Sequence, residues 1–386
     1  MYIVFYAHGE VMRGIICYLD GGKGHYIPAK AIQESMLKAG HDVDIAELFL
    51  ALDARFWHWL TKHVWRFLLH HPKLEKVISG KHDNQESWSK WVYLARHVYK
   101  RTFEQWFDKT DPEFIVVTHF LCGVLLTPMI KACKRDIPVF YYSPDVFMSV
   151  KGGISNSYEK LYIPSEEGLQ LVIAQGMEPS RATLCSFPLQ HKFLHMETVD
   201  KNTVRTKLGL KDKFTMLLTL GGEGIGSTEF VEHAAKRKLD IQVLLVGKIS
   251  SSTMLKYELF QKLFPKFSLN LVGFVDNIQE YMIAADIVIG KQGANTLMES
   301  IFLRRPCMIS ELLYTAEMSA RYLEKYHIGW SEDDPEKQVA IVQSCVENPE
   351  FHRQMEKNFD VVPLKFGADE FAEQIIKDVL VYKKNH

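Results

Sequence analysis

The segment GFVDNIQEYMIAADIVIGKQGANTLMESIFLRRP, residues 273–306, sets the pattern from which the rest of the chain is interpreted. An apolar strand is followed by a helix, a second strand at IVIG, a loop of small residues and a further helix that carries Glu299. Strands that alternate with helices build parallel sheets covered on both faces. The segment therefore predicts an α/β unit whose small-residue loop lies at the carboxyl end of a strand, where such sheets bind ligands.

The same alternation extends along the chain in both directions. A polar stretch near residues 188–205 divides it into two halves, and 386 residues exceed what one core usually organises. We predict two Rossmann-like domains, residues 1–188 and 189–365, with a terminal helix, 366–386, that packs back on the first. Besides IVIG, the predicted strands are RGIICYLD (13–20), DVDIAELF (42–49), FIVVTHF (114–120), PVFYYSPD (138–145), KLYIPS (160–165), ATLCSF (182–187), FTMLLTLGG (214–222), QVLLVGK (242–248), SLNLVGFV (268–275) and RPCMIS (305–310).

Composition narrows the class of protein. The net charge is −1, so no overall field selects nucleic acid or an anionic membrane. Six cysteines without a C-x-x-C pair fit reduced cytosolic thiols and give no zinc site. The first residues lack the basic start of a signal peptide, and whether residues 1–11 belong to the fold is open. No stretch of 18 uninterrupted apolar residues predicts a transmembrane helix.

Glycine-rich loops follow three of the predicted strands, at 21–24, 221–226 and 290–293. A glycine there usually only forms the turn. Three such loops at equivalent strand ends favour a phosphate-bearing ligand, because backbone N–H groups and helix amino termini attract anions. None has the spacing of a P-loop or of a dinucleotide fingerprint. Glu299, early in its helix, either accepts both hydroxyls of a ribose or complements the helix dipole.

The residues resemble the family of monogalactosyldiacylglycerol synthases, processive diacylglycerol glucosyltransferases and the N-acetylglucosaminyltransferase of peptidoglycan lipid synthesis. The matching segments are LDGGKGHYIPAKAI (19–32), SFPLQHKF (186–193), TLGGEGIGS (219–227) and GFVDNIQEYMIAADIVIGKQGANTLMES (273–300). The resemblance implies two facing Rossmann-like domains of the GT-B type with a cleft between them. It also implies inverting transfer from a UDP-sugar with neither metal nor cofactor.

Site residues follow from that resemblance position by position. His25 takes the place of the active-site histidine, Phe274 lies by the uracil and Glu299 binds the ribose. The predicted contacts to the donor phosphates and sugar are Gly222, Glu223, Gly224, Gly293, Ala294 and Thr296. The chain departs from the family at Lys23, at Tyr26, downstream of Asp145 where a histidine is missing, and at 314–316. There YTA replaces the usual Gly-Gln-Glu and Glu317 comes one place late, which leaves the identity of the sugar open.

His25 has the chemistry that an inverting transfer needs. Its imidazole titrates near neutrality and can take the proton of an acceptor hydroxyl, with Asp20 or Asp145 orienting or sharing that proton. The loop of Gly22, Lys23 and Gly24 would approach the acceptor or the donor phosphates. The alternatives are that His25 only caps its helix and that Lys23 points into solvent.

Residues 55–103 hold five of the seven tryptophans and ten Lys or Arg against three Asp or Glu. ARFWHWLTKHVWRFLLHH (54–71) forms a helix with aromatic and basic faces, typical of a lipid interface. We predict a membrane or acceptor surface comprising Trp57, Trp59, Trp65 and Arg66. Core packing of the tryptophans is the alternative. The spacing fits no nucleic-acid reader motif, so nucleic acid is not expected as a partner.

Together these observations predict a UDP-sugar-dependent hexosyltransferase that acts on a lipid, foremost diacylglycerol. We expect it in the cytoplasm, bound peripherally to the anionic inner face of the cell membrane. A polyprenyl-linked or other acceptor, a UDP-sugar epimerase and a non-catalytic nucleotide-sugar sensor are the alternatives.

Overall fold

The computed structural model describes residues 10–83, 86–196, 198–220, 229–291, 293–311 and 313–386, without the side chains of residues 82 and 86–91. The chain forms two compact units. The first contains the residues before Arg66 together with Ile78–Gln190 and Leu364–His386, and the second contains Arg66–Val77 and His191–Pro363. In the described ranges, no helix is both long and apolar enough to cross a membrane.

Each unit is built on a six-stranded sheet in which all paired strands are parallel. The strands are β1 (Arg13–Tyr18), β2 (Asp42–Glu47), β3 (Phe114–Val117), β4 (Val139–Tyr142), β5 (Lys160–Ile163), β6 (Ala182–Leu184), β7 (Thr215–Thr219), β8 (Gln242–Val246), β9 (Ser268–Gly273), β10 (Ile287–Lys291), β11 (Cys307–Glu311) and β12 (Gly329–Ser331). The strand order is β2-β1-β3-β4-β5-β6 in the first unit and β12-β11-β10-β7-β8-β9 in the second. In the first sheet, β2 lies on one side of β1 and the later strands lie on the other side. In the second sheet, β8 and β9 lie on one side of β7 and the later strands on the other. Such a switch in strand order creates a ligand-binding position at the carboxyl ends of the central strands.

Helices cover the sheets. They are α1 (Lys23–Lys38), α2 (Leu48–Ala51), α3 (Arg55–Leu69), α4 (Pro72–His82), α5 (Glu86–Thr110), α6 (Phe120–Ala132), α7 (Glu166–Ala174), α8 (Lys201–Lys207), α9 (Glu229–Lys236), α10 (Ser251–Leu263), α11 (Ile278–Ala284), α12 (Ala294–Phe302), α13 (Ala316–Tyr326), α14 (Pro335–Glu347), α15 (Pro349–Asn358) and α16 (Ala368–Asn385). Buried apolar side chains pack against both faces of the first sheet. In the second unit, the buried apolar side chains form one large cluster.

The predicted α/β class and all eleven predicted strands are confirmed, and the strands end one to three residues earlier or later than the sequence pattern indicates. One strand differs, because the short strand β12 is not predicted from GWS, which is too short to show a pattern. Helix α1 begins at Lys23, directly after Gly22, so His25 lies inside its first turn. Pro28 lies inside α1 and has no N–H, so the hydrogen bond that a residue there would donate to the Gly24 carbonyl is missing from the helix.

The terminal helix α16 lies in the first unit and closes one face of its sheet. Phe371 contacts the rings of Tyr142 and Tyr162, at centroid distances of 5.3 and 5.1 Å. Asp378 accepts a hydrogen bond from the Tyr162 hydroxyl at 2.6 Å and pairs with Lys160 at 2.8 Å. These contacts make α16 an integral layer of the first unit.

Arg66–Val77 is the part of the amino-terminal half that does not follow the predicted boundary, since it belongs to the second unit. The reason is a set of polar contacts to the carboxyl ends of β10 and β11. The Glu75 carboxylate accepts a hydrogen bond from the Tyr314 N–H at 2.9 Å, and Lys76 pairs with Glu317 at 3.5 Å. Nothing in the hydrophobic pattern of the segment predicts these partners.

Candidate active site

His25 is positioned by the turn that joins β1 to α1. Gly22 occupies the cap position with φ 98°, a left-handed backbone that favours glycine. The helix starts immediately afterwards at Lys23, and this places His25 at the carboxyl edge of the sheet. The Trp65 indole lies close to the same turn, since its Nε1 would be 3.8 Å from a Cβ added at Gly22. Trp65 therefore packs beside the glycine loop, a contact that the sequence analysis does not predict.

His25 makes two hydrogen bonds with Thr118, the residue after β3, one through its imidazole ring and one through its backbone carbonyl. Nδ1 lies 2.7 Å from the Thr118 carbonyl oxygen, and the Thr118 hydroxyl donates to the His25 carbonyl at 3.0 Å. A carbonyl only accepts hydrogen bonds, so Nδ1 carries the proton and Nε2 holds the lone pair of a base. Burial lowers the pKa of His25 to about 4, although the bond to Thr118 opposes the shift. The ring is therefore neutral at pH 7.

His119 is the second imidazole of this site. It caps helix α6, where its Nδ1 accepts a hydrogen bond from the Leu121 N–H at 3.1 Å. Its ring centroid lies 4.3 Å from that of His25, with the planes tilted by 55°. Burial, with the nearby His25 second, holds the pKa of His119 well below its ordinary value. Local sequence patterns do not predict this contact, because the two histidines are 94 residues apart in the chain.

The two aspartates considered as proton partners have other described contacts. The Asp20 carboxylate pairs with Lys62 at 2.6 Å. Asp145 is partly buried in the loop after β4, where its backbone carbonyl accepts from the Met148 N–H at 2.8 Å. A proton-sharing role for Asp145 stays a prediction. Lys23 is exposed, and its ammonium lies 4.8 Å from the centroid of the Tyr26 ring.

The second unit presents a carboxylate at the equivalent edge of its sheet. Gly293 caps α12, and Ala294 and Thr296 lie in the first turn, with their N–H groups at the positive end of the helix. Glu299 follows in the next turn and is 7% exposed. The interaction of a carboxylate with the helix dipole fades after the first turn, and Glu299 lies beyond that turn. Complementing the dipole therefore does not account for the burial of Glu299.

Glu299 is buried without a counter-charge in contact. Within the described ranges, no hydrogen bond or salt bridge reaches its carboxylate. Desolvation raises the pKa of Glu299 to about 8, with Lys192 acting in the opposite direction. A buried acid held this far from its ordinary pKa is a signature of binding and catalytic sites.

Some of the residues predicted to contact the sugar donor lie outside the described residues. These are Gly222, Glu223 and Gly224. Phe274 follows β9 and is 68% exposed, directly after Gly273 with φ 80°. Lys192 donates to the Asp276 carbonyl at 3.0 Å, which holds the lysine near this end of the sheet. Of the groups that the structure describes, no cluster of His, Cys, Asp and Glu is arranged to hold a metal ion.

Helix α3 divides the predicted membrane surface into buried and exposed parts. Trp57 is partly buried and packs against the core of the first unit, as the core alternative expects, and its predicted surface role stays a prediction. Trp59 is 53% exposed and Arg66 is exposed. Phe56, not predicted, is 62% exposed and stacks on Trp59 with centroids 6.4 Å apart. Phe56 and Trp59 form an exposed aromatic pair on one helix face.

Comparison with known proteins gives these features a family context. Residues 228–377 match the model of the glycosyltransferase family 28 C-terminal domain. A probable chloroplastic monogalactosyldiacylglycerol synthase 2 of Oryza sativa subsp. indica is 22% identical, over 95% of this chain and 79% of that protein. A processive diacylglycerol beta-glucosyltransferase of Bacillus licheniformis is 24% identical over 74% of each chain.

Solved structures share the fold. HepE of Anabaena, crystallised in complex with UDP and glucose, matches with a TM-score of 0.57 over 96% of this chain and 99% of its own, at 12% identity. This likeness confirms two Rossmann-like units of the GT-B type, whereas the cleft between them stays a prediction. The match to the family model and the similarity to lipid glycosyltransferases confirm the predicted enzyme class. The chain is a glycosyltransferase that carries a family 28 C-terminal domain and is homologous to monogalactosyldiacylglycerol synthases and a processive diacylglycerol glucosyltransferase.

Proposed function

We propose that this glycosyltransferase moves a hexose from a UDP-sugar to a lipid acceptor, foremost diacylglycerol, with inversion at the anomeric carbon. The names of its relatives support the lipid acceptor, since both a galactosyl- and a glucosyldiacylglycerol synthase are similar to most of the chain. The complex of HepE with UDP and glucose supports the donor class, because a protein of the same fold holds that pair.

The observation that carries the proposal is the buried Glu299 carboxylate. Burying an ionisable group without a donor is costly, so such a position is retained where a ligand supplies the donors. Two vicinal hydroxyls of a ribose fit this requirement, because one carboxylate accepts from both. Gly293, Ala294 and Thr296 at the start of the same helix favour the diphosphate through their N–H groups.

His25 supplies the base for the transfer. Its Nε2 lone pair takes the proton of the acceptor hydroxyl, and the oxygen forms a bond to the anomeric carbon from the face opposite the nucleotide. The bond from that carbon to the β-phosphate oxygen breaks, and UDP leaves with the electron pair. The imidazolium then returns its proton to solvent. A proton taken by a positioned base contributes about 10²–10⁴-fold to such a step.

The exposed side chains of α3 support contact with a lipid surface. Phe56 and Trp59 present apolar area, and the ten basic residues of 55–103 outnumber three acidic ones. Aromatic side chains at headgroup depth and cations opposite anionic lipid bind a membrane reversibly. We therefore place the enzyme at the cytoplasmic face of an anionic membrane as a peripheral protein.

Radiolabelled UDP-glucose and UDP-galactose, each offered with diacylglycerol in phosphatidylglycerol vesicles, test the proposal. Wild-type protein should form a labelled glycolipid with one of the two donors, and EDTA should leave the rate unchanged. A folded His25→Ala variant should form the glycolipid about 10²–10⁴-fold more slowly. Label that appears only with a polyprenyl-linked acceptor would replace the acceptor class. Conversion of the donor sugar without lipid product would show an epimerase, and UDP-sugar binding without any turnover would show a sensor.

A further inference from the structure

The pair formed by His25 and His119 carries an inference that rests on the proposed transfer and extends it to a second residue. The two imidazoles come from separate elements of the first unit, one inside α1 and the other at the start of α6. Their rings are in contact, with centroids 4.3 Å apart. The two histidines are adjacent and partly buried, and no cluster of metal-ligating side chains among the described residues explains their contact.

Backbone groups set opposite tautomers in the two rings. The Thr118 carbonyl, 2.7 Å from His25 Nδ1, requires a proton on that nitrogen and leaves Nε2 as an acceptor. The Leu121 N–H, 3.1 Å from His119 Nδ1, requires a lone pair there. Because burial keeps this ring neutral, its single proton is on Nε2, which becomes a donor. The site therefore holds one imidazole acceptor and one imidazole donor side by side.

Neither Nε2 atom has a hydrogen-bond partner within the part of the chain that the structure describes. A hydroxyl group is the ligand that matches the pair, since it donates one proton and accepts through its oxygen. Two acceptors or two donors would not hold a hydroxyl in this way. The complementarity comes from the fold, because both tautomers are fixed by main-chain groups.

We propose that His119 is a second substrate-contacting residue, whose Nε2–H donates a hydrogen bond to the oxygen of the acceptor hydroxyl while His25 Nε2 accepts the proton of the same hydroxyl. His119 gains and loses no proton in the step. The oxygen keeps a second lone pair for the bond to the anomeric carbon, and its proton moves to His25. The donor bond holds the nucleophile at the base and selects a hydroxyl over groups that cannot both donate and accept.

The competing role for His119 is that of a helix cap only, and two substitutions separate the roles. Asn places an oxygen where Nδ1 lies and is a preferred cap, but it has no group at the Nε2 position. Gln reaches the Nε2 position with an amide N–H and is a poorer cap. His119→Asn therefore preserves the cap and removes the donor, and His119→Gln does the reverse.

We expect folded His119→Asn to keep the melting temperature of the wild type and to lose about 10- to 100-fold in kcat/KM for the lipid acceptor, the range of one hydrogen bond to a buried partner. His119→Gln should melt at a lower temperature and recover a large part of that activity when assayed below it. UDP affinity should change in neither variant. Exposed His195 provides the matched control, and His195→Asn should behave as the wild type. Full activity in His119→Asn, or activity in His119→Gln no better than in His119→Asn, would overturn the proposal.

The tautomers can be measured without any assay of activity. Histidine-selective ¹⁵N labelling should show His25 protonated at Nδ1 and His119 protonated at Nε2 at pH 7, with assignment from the single variants. Equal tautomers in the two rings would overturn the donor–acceptor pair. Wild-type turnover is measured first, because an absence of sugar transfer by the wild type refutes the proposed function and the tautomer spectrum then tests the pair alone.

Discussion

The carboxyl edges of the two sheets carry sites of opposite character. In the first unit, two imidazoles are fixed by main-chain hydrogen bonds before any substrate arrives. In the second, the Glu299 carboxylate is buried with no hydrogen bond from the described residues and an elevated pKa. The first arrangement has its orienting hydrogen bonds within its own unit, whereas the carboxylate of the second has no hydrogen-bond partner among the described residues.

In the proposed mechanism, one type of sheet serves two tasks. A base has to be held in one orientation to act in the transition state, so its neighbours come from the protein. A binding carboxylate gains most if its partners come from the ligand, because the cost of its burial is then removed on binding. We expect substitutions in the first unit to change turnover and those in the second to change affinity.

The largest expected effect is that of His25→Ala. Loss of the base should lower kcat by about 10²–10⁴-fold, and UDP affinity should stay within twofold because the donor contacts lie in the other unit. Single-turnover kinetics and calorimetry measure the two quantities. Near-normal turnover in the folded variant would remove His25 from the chemistry, and an equal loss of UDP affinity would erase the contrast between the edges.

Glu299→Ala is the complementary change. It should weaken UDP by about 1–3 kcal/mol, or roughly 5- to 150-fold, since hydroxyl bonds to a buried charged group are lost. Thermal unfolding should show no loss of stability at pH 8, because the substitution removes a desolvated acid. Unchanged UDP affinity measured by calorimetry in the folded variant would refute the ribose assignment.

The pH dependence of UDP binding also tests the assignment of Glu299 to the ribose. Glu299 has a pKa of about 8 in the free protein, so it is mainly protonated at pH 7. Ribose hydroxyls would favour the ionised form, and binding below pH 8 therefore releases a proton. Affinity should rise with pH by up to about tenfold per unit below pH 8 and level off above it. Glu299→Gln controls for the titration of the nucleotide, and an identical slope in that variant contradicts the prediction.

The smallest effect concerns the lipid side. Phe56→Ala with Trp59→Ala should weaken binding to phosphatidylglycerol vesicles by about tenfold, through loss of two half-exposed aromatic contacts. Rising salt should weaken the remaining binding further, since each basic residue near the surface adds about 1 kcal/mol that salt screens.

Leu255→Ala with Leu259→Ala, an exposed apolar pair on α10, is the matched control and should leave vesicle binding unchanged. Normal vesicle binding by the folded aromatic variant would place the lipid surface elsewhere. Loss of UDP affinity in that variant would show that the two edges are not separable.

The sequence predicts most of the fold, because buried parallel strands appear as continuous apolar runs that end in glycine turns. It also places Glu299 early in a helix and His25 after a glycine loop, both from local spacing. It does not predict the contact between His25 and His119, the packing of Trp57 against the core or the attachment of Arg66–Val77 to the second unit. Each of these depends on partners remote in sequence, and a local pattern contains no information about them.

The place of α16 has a consequence for biosynthesis. The first unit lacks part of the cover of one sheet face until residues 364–386 have been translated, although its sheet strands are complete by Leu184. The second unit, His191–Pro363, is synthesised before that helix and needs only Arg66–Val77 from the earlier chain. The amino-terminal unit is thus the later of the two to mature on the ribosome, an inversion of the usual vectorial order. A premature stop between Pro363 and Leu364 would leave the second unit complete and remove a layer of the first.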